Sequence, residues 1–442
     1  MEQQIKHYSI FDYIYEPYKI TKPIRLIELF AGYGSQALAL KYLGVKFEYW
    51  KICEWAIKSI QAYKDIHFES DENDYSYGVL LESVINTLYK LGISSDYNTP
   101  MTYEQIKRLG EKQLRTIYNN IIATNNLVNI QKVTGSDLEI TDTDKYDYIL
   151  TYSFPCQDLS LAGKGKGMSD TKTRSGMLWE VERILTECYE LGSLPQILLM
   201  ENVPQVHSQD NIKDFNKWQL RLEKLGYKNY CQDLIATDYG IPQTRNRCFM
   251  VSVLGDYNYT FPQPIPLKLK LKDVLEDNVD EKYYLSEKMI QCLMSENSKF
   301  PRKERFLQTL RNTNDNEIAA TLCTTGGTRP TDNFIKIKNA TKKGYLAATV
   351  GDGIDISSRM EHHRGTVQKE KCQTLTTSCD VGVFEDNFKL RRLTPKECFR
   401  LMGVKDEDFE KVKKNQTDSS LYHLAGDSIV VNVLEKIFEN LL

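Results

Sequence analysis

Ile24-Arg25-Leu26-Ile27-Glu28-Leu29-Phe30-Ala31-Gly32-Tyr33-Gly34-Ser35-Gln36-Ala37-Leu38-Ala39-Leu40 is the segment whose reading decides the fold. The apolar run 24–30 reads as a buried strand, the glycines after it as a tight turn, and 37–43 as a helix. A second strand follows at 47–53. Further short apolar strands stand at 148–152, 197–200 and 248–253, separated by helical stretches such as 177–191 and 215–225. Strands that alternate with helices predict an α/β chain built on a doubly wound, mostly parallel sheet.

Outward from that sheet, 63–130 is long, polar and helical, with helix candidates at 77–91 and 103–122, and reads as an insertion on the sheet's flank. After Tyr257 the chain turns to proline loops (Pro262, Pro264, Pro266), basic clusters and Thr/Gly-rich pieces. The expected organisation is a first domain over 1–257, a smaller second domain over 258–387, and a return to the first over 388–442. A chain of 442 residues, 41% hydrophobic and 26% charged, has room for two cores. Its net charge of −3 means that any nucleic-acid surface must be a local concentration of Lys and Arg. The first twenty residues lack the apolar centre of a signal peptide and no stretch nears membrane-spanning length, so a cytoplasmic protein with no membrane partner is expected. Ten cysteines lie singly, with no Cys-x-x-Cys and no His pair at ligand spacing, which argues against structural zinc and disulfides; no metal is expected.

The turn from Phe30 to Ser35 hands a strand to a helix, so its backbone N–H groups face any ligand at the helix N-terminus. Gly32, Gly34 and Ala37 also satisfy G-x-G-x-x-A, and Glu54 has the spacing of a ribose-binding acid, so this fragment alone could equally hold NAD or serve only as a packing turn. Glu54 followed by Trp55 suits a nucleoside: the carboxylate can accept both ribose hydroxyls while the indole covers an adenine face. Asp137 could take the adenine amino group or simply cap its own turn.

Pro155-Cys156-Gln157 follows the strand 148–152, which delivers a thiol to the carboxyl edge of the sheet, where ligands bind in this architecture. Nearby Lys164, Lys166, Lys172 and Arg174 would favour its thiolate; the alternative is an inert buried thiol. Glu201-Asn202-Val203 brings a carboxyl to the same edge, either as a helix cap or as a group sharing a proton with a ring nitrogen. In Gln243-Thr244-Arg245-Asn246-Arg247 the arginines alternate, so both guanidinium groups point to one side if the chain is extended. One could bind a base oxygen or phosphate and the other a carboxylate; a salt-bridged strand edge is the plain alternative.

In order along the chain these segments resemble the motif series of the C5-cytosine DNA methyltransferases of bacterial or phage type. Arg391-Arg392-Leu393-Thr394-Pro395-Lys396-Glu397-Cys398 and Gly426-Asp427-Ser428-Ile429-Val430 resemble the family's last two motifs. Ser35 stands where the family usually has Gly, and Asp427 where Asn is usual. The resemblance implies catalytic roles for Cys156, Glu201, Arg245 and Arg247. It implies S-adenosyl-L-methionine contacts at Phe30, Gly32, Tyr33, Gly34, Ser35, Glu54, Trp55, Asp137, Leu138, Pro155, Leu178, Asp427 and Ser428. It further implies a target-recognition domain over 258–387, a monomer acting on double-stranded DNA, and a restriction endonuclease as possible functional partner. Rival readings are an RNA cytosine methyltransferase, a silent DNA-binding regulator and an NAD-dependent oxidoreductase; the last leaves the Pro-Cys-Gln, Glu-Asn-Val and Gln-x-Arg-x-Arg segments unexplained.

Overall fold

A computed structural model describes residues 16–154, 174–286, 335–338, 345–357, 366–385 and 390–442. The deciding segment folds as β1 (Ile24–Leu29), wholly buried, followed by α1 (Ser35–Tyr42). Then come β2 (Phe47–Cys53), α2 (Ile57–His67), the insertion helices α3 (Leu81–Leu91), α4 (Tyr103–Lys107) and α5 (Glu111–Ala123), and β3 (Asp147–Tyr152). α6 (Leu178–Glu190), β4 (Ile197–Asn202), α7 (Ile212–Lys224), β5 (Tyr227–Ile235) and β6 (Asn246–Leu254) complete the main sheet, whose strand order is β2-β1-β3-β4-β6-β5. β2, β1, β3 and β4 run parallel, whereas β6 is antiparallel to both β4 and β5.

Alternation along β1 sends Ile24 and Leu26 to one face and Ile27 and Leu29 to the other, and each pair enters a separate hydrophobic core. A sheet covered on both faces needs strands that are mostly apolar, and β1, β3 and β4 are buried along their whole length with polar residues only at a few positions. The insertion has a core of its own around Val84, Leu88, Ile106, Ile117 and Ile121. Two helix readings there change. The first helix begins only at Leu81, because Gly78 is left-handed at φ 74°, and the second splits where Gly110 caps a new start at Glu111.

In the later part, β7 (Ile335–Lys338) pairs with β8 (Tyr345–Ala348). β9 (Gly353–Asp355), β10 (Val367–Gln368), β11 (Val381–Phe384) and β12 (Leu390–Arg392) form an antiparallel sheet in the order β10-β9-β11-β12. Helices α8 (Pro395–Leu401), α9 (Asp406–Lys413), α10 (Asp418–Asp427) and α11 (Val431–Glu439) close the chain. α11 packs on α1, and the amide of Ile20 donates to Leu441 O at 2.7 Å. At the join, Arg391 is fully buried and donates to both oxygens of Glu397 at 2.7 Å, while Glu397 also accepts from the Thr394 and Glu276 amides. Among the described residues no helix is long and apolar enough to cross a membrane.

Candidate active site

β1 ends in a turn with three left-handed residues, Phe30 at φ 59°, Gly32 at 56° and Gly34 at 82°. Phe30 has a Cβ and would avoid this conformation unaided; its N–H donates to Cys53 O at 2.8 Å, which holds it there. A Cβ on Gly34 would overlap His67 and Tyr63, whereas one on Gly32 would meet nothing. The turn therefore packs tightly beneath Gly34 and is open at Gly32. Tyr33 is buried, stacks on Phe399 at 5.3 Å between ring centres, and accepts from Ser428 Oγ at 2.8 Å. Ser35 is buried at the start of α1.

Glu54, just past β2, accepts from the Gly32 amide at 2.9 Å and the Ala56 amide at 2.7 Å. Its own backbone is clamped by Asn126 of the insertion, whose side chain accepts from Glu54 N at 3.0 Å and donates to Glu54 O at 2.9 Å. Burial pushes the Glu54 carboxyl up to about 7; the backbone donors act against burial and Asp427 acts with it. Trp55 is half-buried against the insertion core, and its carbonyl accepts from the Ser94 amide at 2.8 Å. Asp137 is exposed and uses Oδ2 to cap its own turn, accepting from Thr134 N and Oγ1 at 2.8 and 2.7 Å. Leu138 and Leu178 are buried in the core beneath.

At the end of β4, Glu201 is buried and accepts from Ser153 Oγ at 2.5 Å, and its Oε1 lies 3.0 Å from Arg247 Nε. Ser153 and Phe154 immediately follow β3, and Asn202 Nδ2 donates to Phe154 O at 3.0 Å, so the end of β4 fixes the chain leading to Pro155 and Cys156. Pro155 and Cys156 themselves lie outside the described residues, as does most of the basic loop 158–176.

The two arginines take different partners, although both are near enough to Asp427 to act on its charge. Arg247 meets Glu201, but Arg245 is buried and donates to the carbonyls of Leu375, Gly426 and Ser428 at 2.6–3.3 Å. The reason is that Arg245 precedes β6 and its neighbour Gln243 is already drawn to Leu375 and Leu401. Arg245 thus holds the chain around Asp427 and Ser428 through the carbonyls of Gly426 and Ser428.

Asp427 ends α10 in a recess densely walled by protein yet open to solvent; desolvation there lifts its carboxyl, opposed first by His423 and then by Arg245. Asp427 is near enough to act on Glu54 on one side and to feel the charge of Glu201 on the other. Carboxyl groups gathered around Asp427 suit a cationic ligand, and His423, near enough to act on Asp427, has a buried Nδ1 without a hydrogen-bond partner. These residues fit a nucleoside carrying a sulfonium and an ammonium group.

Sequence reasoning missed three contributors. Glu28 on β1 accepts from the Ala37 amide and from Tyr63 Oη at 2.6 Å, bracing the start of α1, and burial raises its carboxyl to about 7. Asn126 is the second. Tyr97, left-handed at φ 62°, stacks on His423 at 3.9 Å between ring centres and brings the insertion to the same recess. A positive φ cannot be read from a tyrosine in sequence.

The family description C-5 cytosine-specific DNA methylase matches residues 105–442. The type II methyltransferase M2.ScrFI of Lactococcus lactis subsp. cremoris is 32% identical over 95% of this chain and 99% of its own length. The orphan methyltransferase M.SssI of Spiroplasma monobiae is 30% identical over 95% and 98%. The solved structure of the Entamoeba histolytica methyltransferase EhMeth, 14% identical, superposes with a TM-score of 0.54 over 95% of this chain and 98% of that one, a likeness of fold. Matched in this way almost from end to end, the chain belongs to the C-5 cytosine-specific DNA methylases, enzymes that methylate cytosine in DNA at C5.

Proposed function

We propose that the protein transfers a methyl group from S-adenosyl-L-methionine to C5 of a cytosine flipped out of a short specific sequence in duplex DNA, with Cys156 as the covalent nucleophile. The observation that carries this reading is Glu201, held by Ser153 and Arg247 beside the chain that leads from β3 to Cys156. Glu54 would take the ribose hydroxyls, Trp55 the adenine face, and the turn Phe30–Ser35 with Asp427 and Ser428 the remainder of the cofactor. When bound, that cofactor supplies an electrophilic methyl group.

Cytosine C6 is a poor electrophile until N3 is protonated. Glu201 delivers or shares that proton while the Cys156 thiolate forms a bond to C6, and the displaced electron pair makes C5 nucleophilic. After C5 has gained the methyl group, a base removes the C5 proton, the C6–S bond breaks to release the thiolate, and N3 returns its proton to Glu201, which leaves 5-methylcytosine. Arg247 holds Glu201 on one side and can reach the base O2 on the other. Because C5 and C6 are stacked in the duplex, extrusion costs about a few kcal/mol, which phosphate contacts from the loop 158–176 and from the recognition domain at 258–387 would offset.

Incubation with S-adenosylmethionine and unmethylated genomic DNA, followed by sequencing that distinguishes 5-methylcytosine, tests the reading. Methylation at one recurring short motif is expected. Cys156→Ser is expected to abolish turnover with cofactor binding retained, and a variant that still methylates would remove Cys156 as nucleophile.

A further inference from the structure

Among the described residues, one group of metal-ligand side chains lies apart from the recess. His207 ends the 3-10 turn Pro204–His207 after β4, Asp233 lies near the end of β5, and Cys248 near the start of β6. Their donor atoms, an imidazole nitrogen, a carboxylate oxygen and a sulfur, all lie within 4.8 Å of one another. His207 Nε2 is 2.9 Å from Asp233 Oδ1, and Cys231 Sγ is 3.3 Å from Cys248 Sγ. Strand register explains the convergence. Asp233 pairs with Cys248 across β5 and β6, and Cys231, two residues earlier, shares the face of Asp233. No sequence spacing announces such a set, since the donors come from three elements.

We propose that His207, Cys231, Asp233 and Cys248 form a binding site for a thiophilic divalent cation, zinc being the type. Two thiols, an imidazole and a carboxylate form a donor set that favours zinc over magnesium or calcium. In a tetrahedral site with Zn–S of ~2.3 Å and Zn–N or Zn–O of ~2.0 Å, the sulfurs stand ~3.8 Å apart and the nitrogen and oxygen ~3.3 Å. The observed separations of 3.3 and 2.9 Å are each about half an ångström shorter, as for donors that contact one another with no cation between them. The side chains of His207 and Asp233 are 37% and 32% exposed and Cys231 is exposed, so the cluster opens to solvent above the buried Cys248. Cys231, whose sulfur is 3.3 Å from that of Cys248, would supply the fourth donor by a turn of its side chain. The thiols release their protons to solvent as the cation binds.

The site lies behind the candidate active site. Cys248 is the register partner of Asn202, and Glu201 pairs with Phe249; successive residues point to opposite faces, so a bound cation would stand across the sheet from Glu201. It would tie the edge strand β5 and the turn after β4 to β6.

The test uses the full chain, stripped with chelator under reductant and titrated with Co2+ and then Zn2+. A near-ultraviolet thiolate-to-cobalt band with visible bands of tetrahedral Co2+ is expected at one equivalent, displaced by Zn2+. His207→Ala and Cys231→Ser are each expected to weaken Co2+ binding at least about tenfold with metal-free unfolding and basal methyl transfer unchanged. No thiolate band at one equivalent would overturn the proposal. So would a band that survives both substitutions, or mass spectrometry that finds Cys231 and Cys248 joined as a disulfide under reductant.

Discussion

Lowering the pH from about 8 to about 6 should weaken S-adenosylmethionine binding to the native protein more than to Glu54→Gln. Glu54 is buried, its carboxyl is raised to about 7, and its oxygens are held by the Gly32 and Ala56 amides in the orientation in which they would accept ribose hydroxyls. Only the carboxylate accepts both hydroxyls. With a midpoint of about 7, the ionised fraction falls from ~0.91 to ~0.09 across this range, so the apparent Kd rises about tenfold. Folding responds with the opposite sign in the cofactor-free protein. Glu54 binds its proton more tightly folded than unfolded, so its ionisation opposes folding above pH 7, and that penalty is relieved as pH falls from about 7 toward the ordinary value of 4.5. Isothermal titration calorimetry at both pH values reads the binding. The cofactor's own α-amino group titrates near 8, so the measured quantity is the ratio of the native to the Glu54→Gln profile. Asp427, the neighbouring carboxyl that acts on Glu54, is controlled by Asp427→Asn. Parallel profiles for the native protein and Glu54→Gln would refute the assignment of Glu54 to the ribose.

Arg245→Ala strands three buried carbonyls and should cost about 3 kcal/mol in urea unfolding as well as weakening cofactor binding, whereas Arg247→Ala, which leaves Glu201 its bond from Ser153, should cost less stability and chiefly reduce turnover. Similar effects on both would remove the distinction drawn between the two arginines. Gly34→Ala should lower the thermal midpoint well below that of Gly32→Ala, about 3 against about 1 kcal/mol, because both are left-handed but only the first would overlap its neighbours. Glu397→Gln leaves the fully buried Arg391 with weakened pairing and should destabilise by about 3 kcal/mol in chemical denaturation; a neutral result would show that the join is held by packing alone.

The core of the sheet was legible because β1, β3 and β4 are covered on both faces and so are mostly apolar. β5 was not. Tyr227–Ile235 is an edge strand with a half-exposed face, and its Lys228, Asn229, Gln232 and Asp233 hide it in a polar stretch. The motif residues were legible by type, but their partners were not. The carbonyls that hold Arg245 lie 130 to 183 residues downstream, and alternate spacing on an extended chain says nothing about them. Asp137 shows the converse: its local capping geometry, one of the two readings open in sequence, is formed within three residues.

The insertion ties these points together. It was legible only as a helical flank, since its amphipathic helices announce a core of their own and nothing more. Yet the turn after β2 that carries Glu54 and Trp55 would have few tethers without it. Asn126 holds both backbone polar groups of Glu54, Ser94 exchanges hydrogen bonds with Trp55 and Ile57, and Tyr97 covers His423 next to Asp427. Each contact fixes backbone or ring position and leaves the Glu54 carboxylate oxygens to Gly32 and Ala56 at one edge of the recess. A carboxyl that is buried but held through its own backbone and neighbouring amides can keep a raised proton affinity and still meet a ligand without rearranging. The insertion therefore acts on the recess through the positions of these residues, and its removal should loosen Glu54 and His423 together.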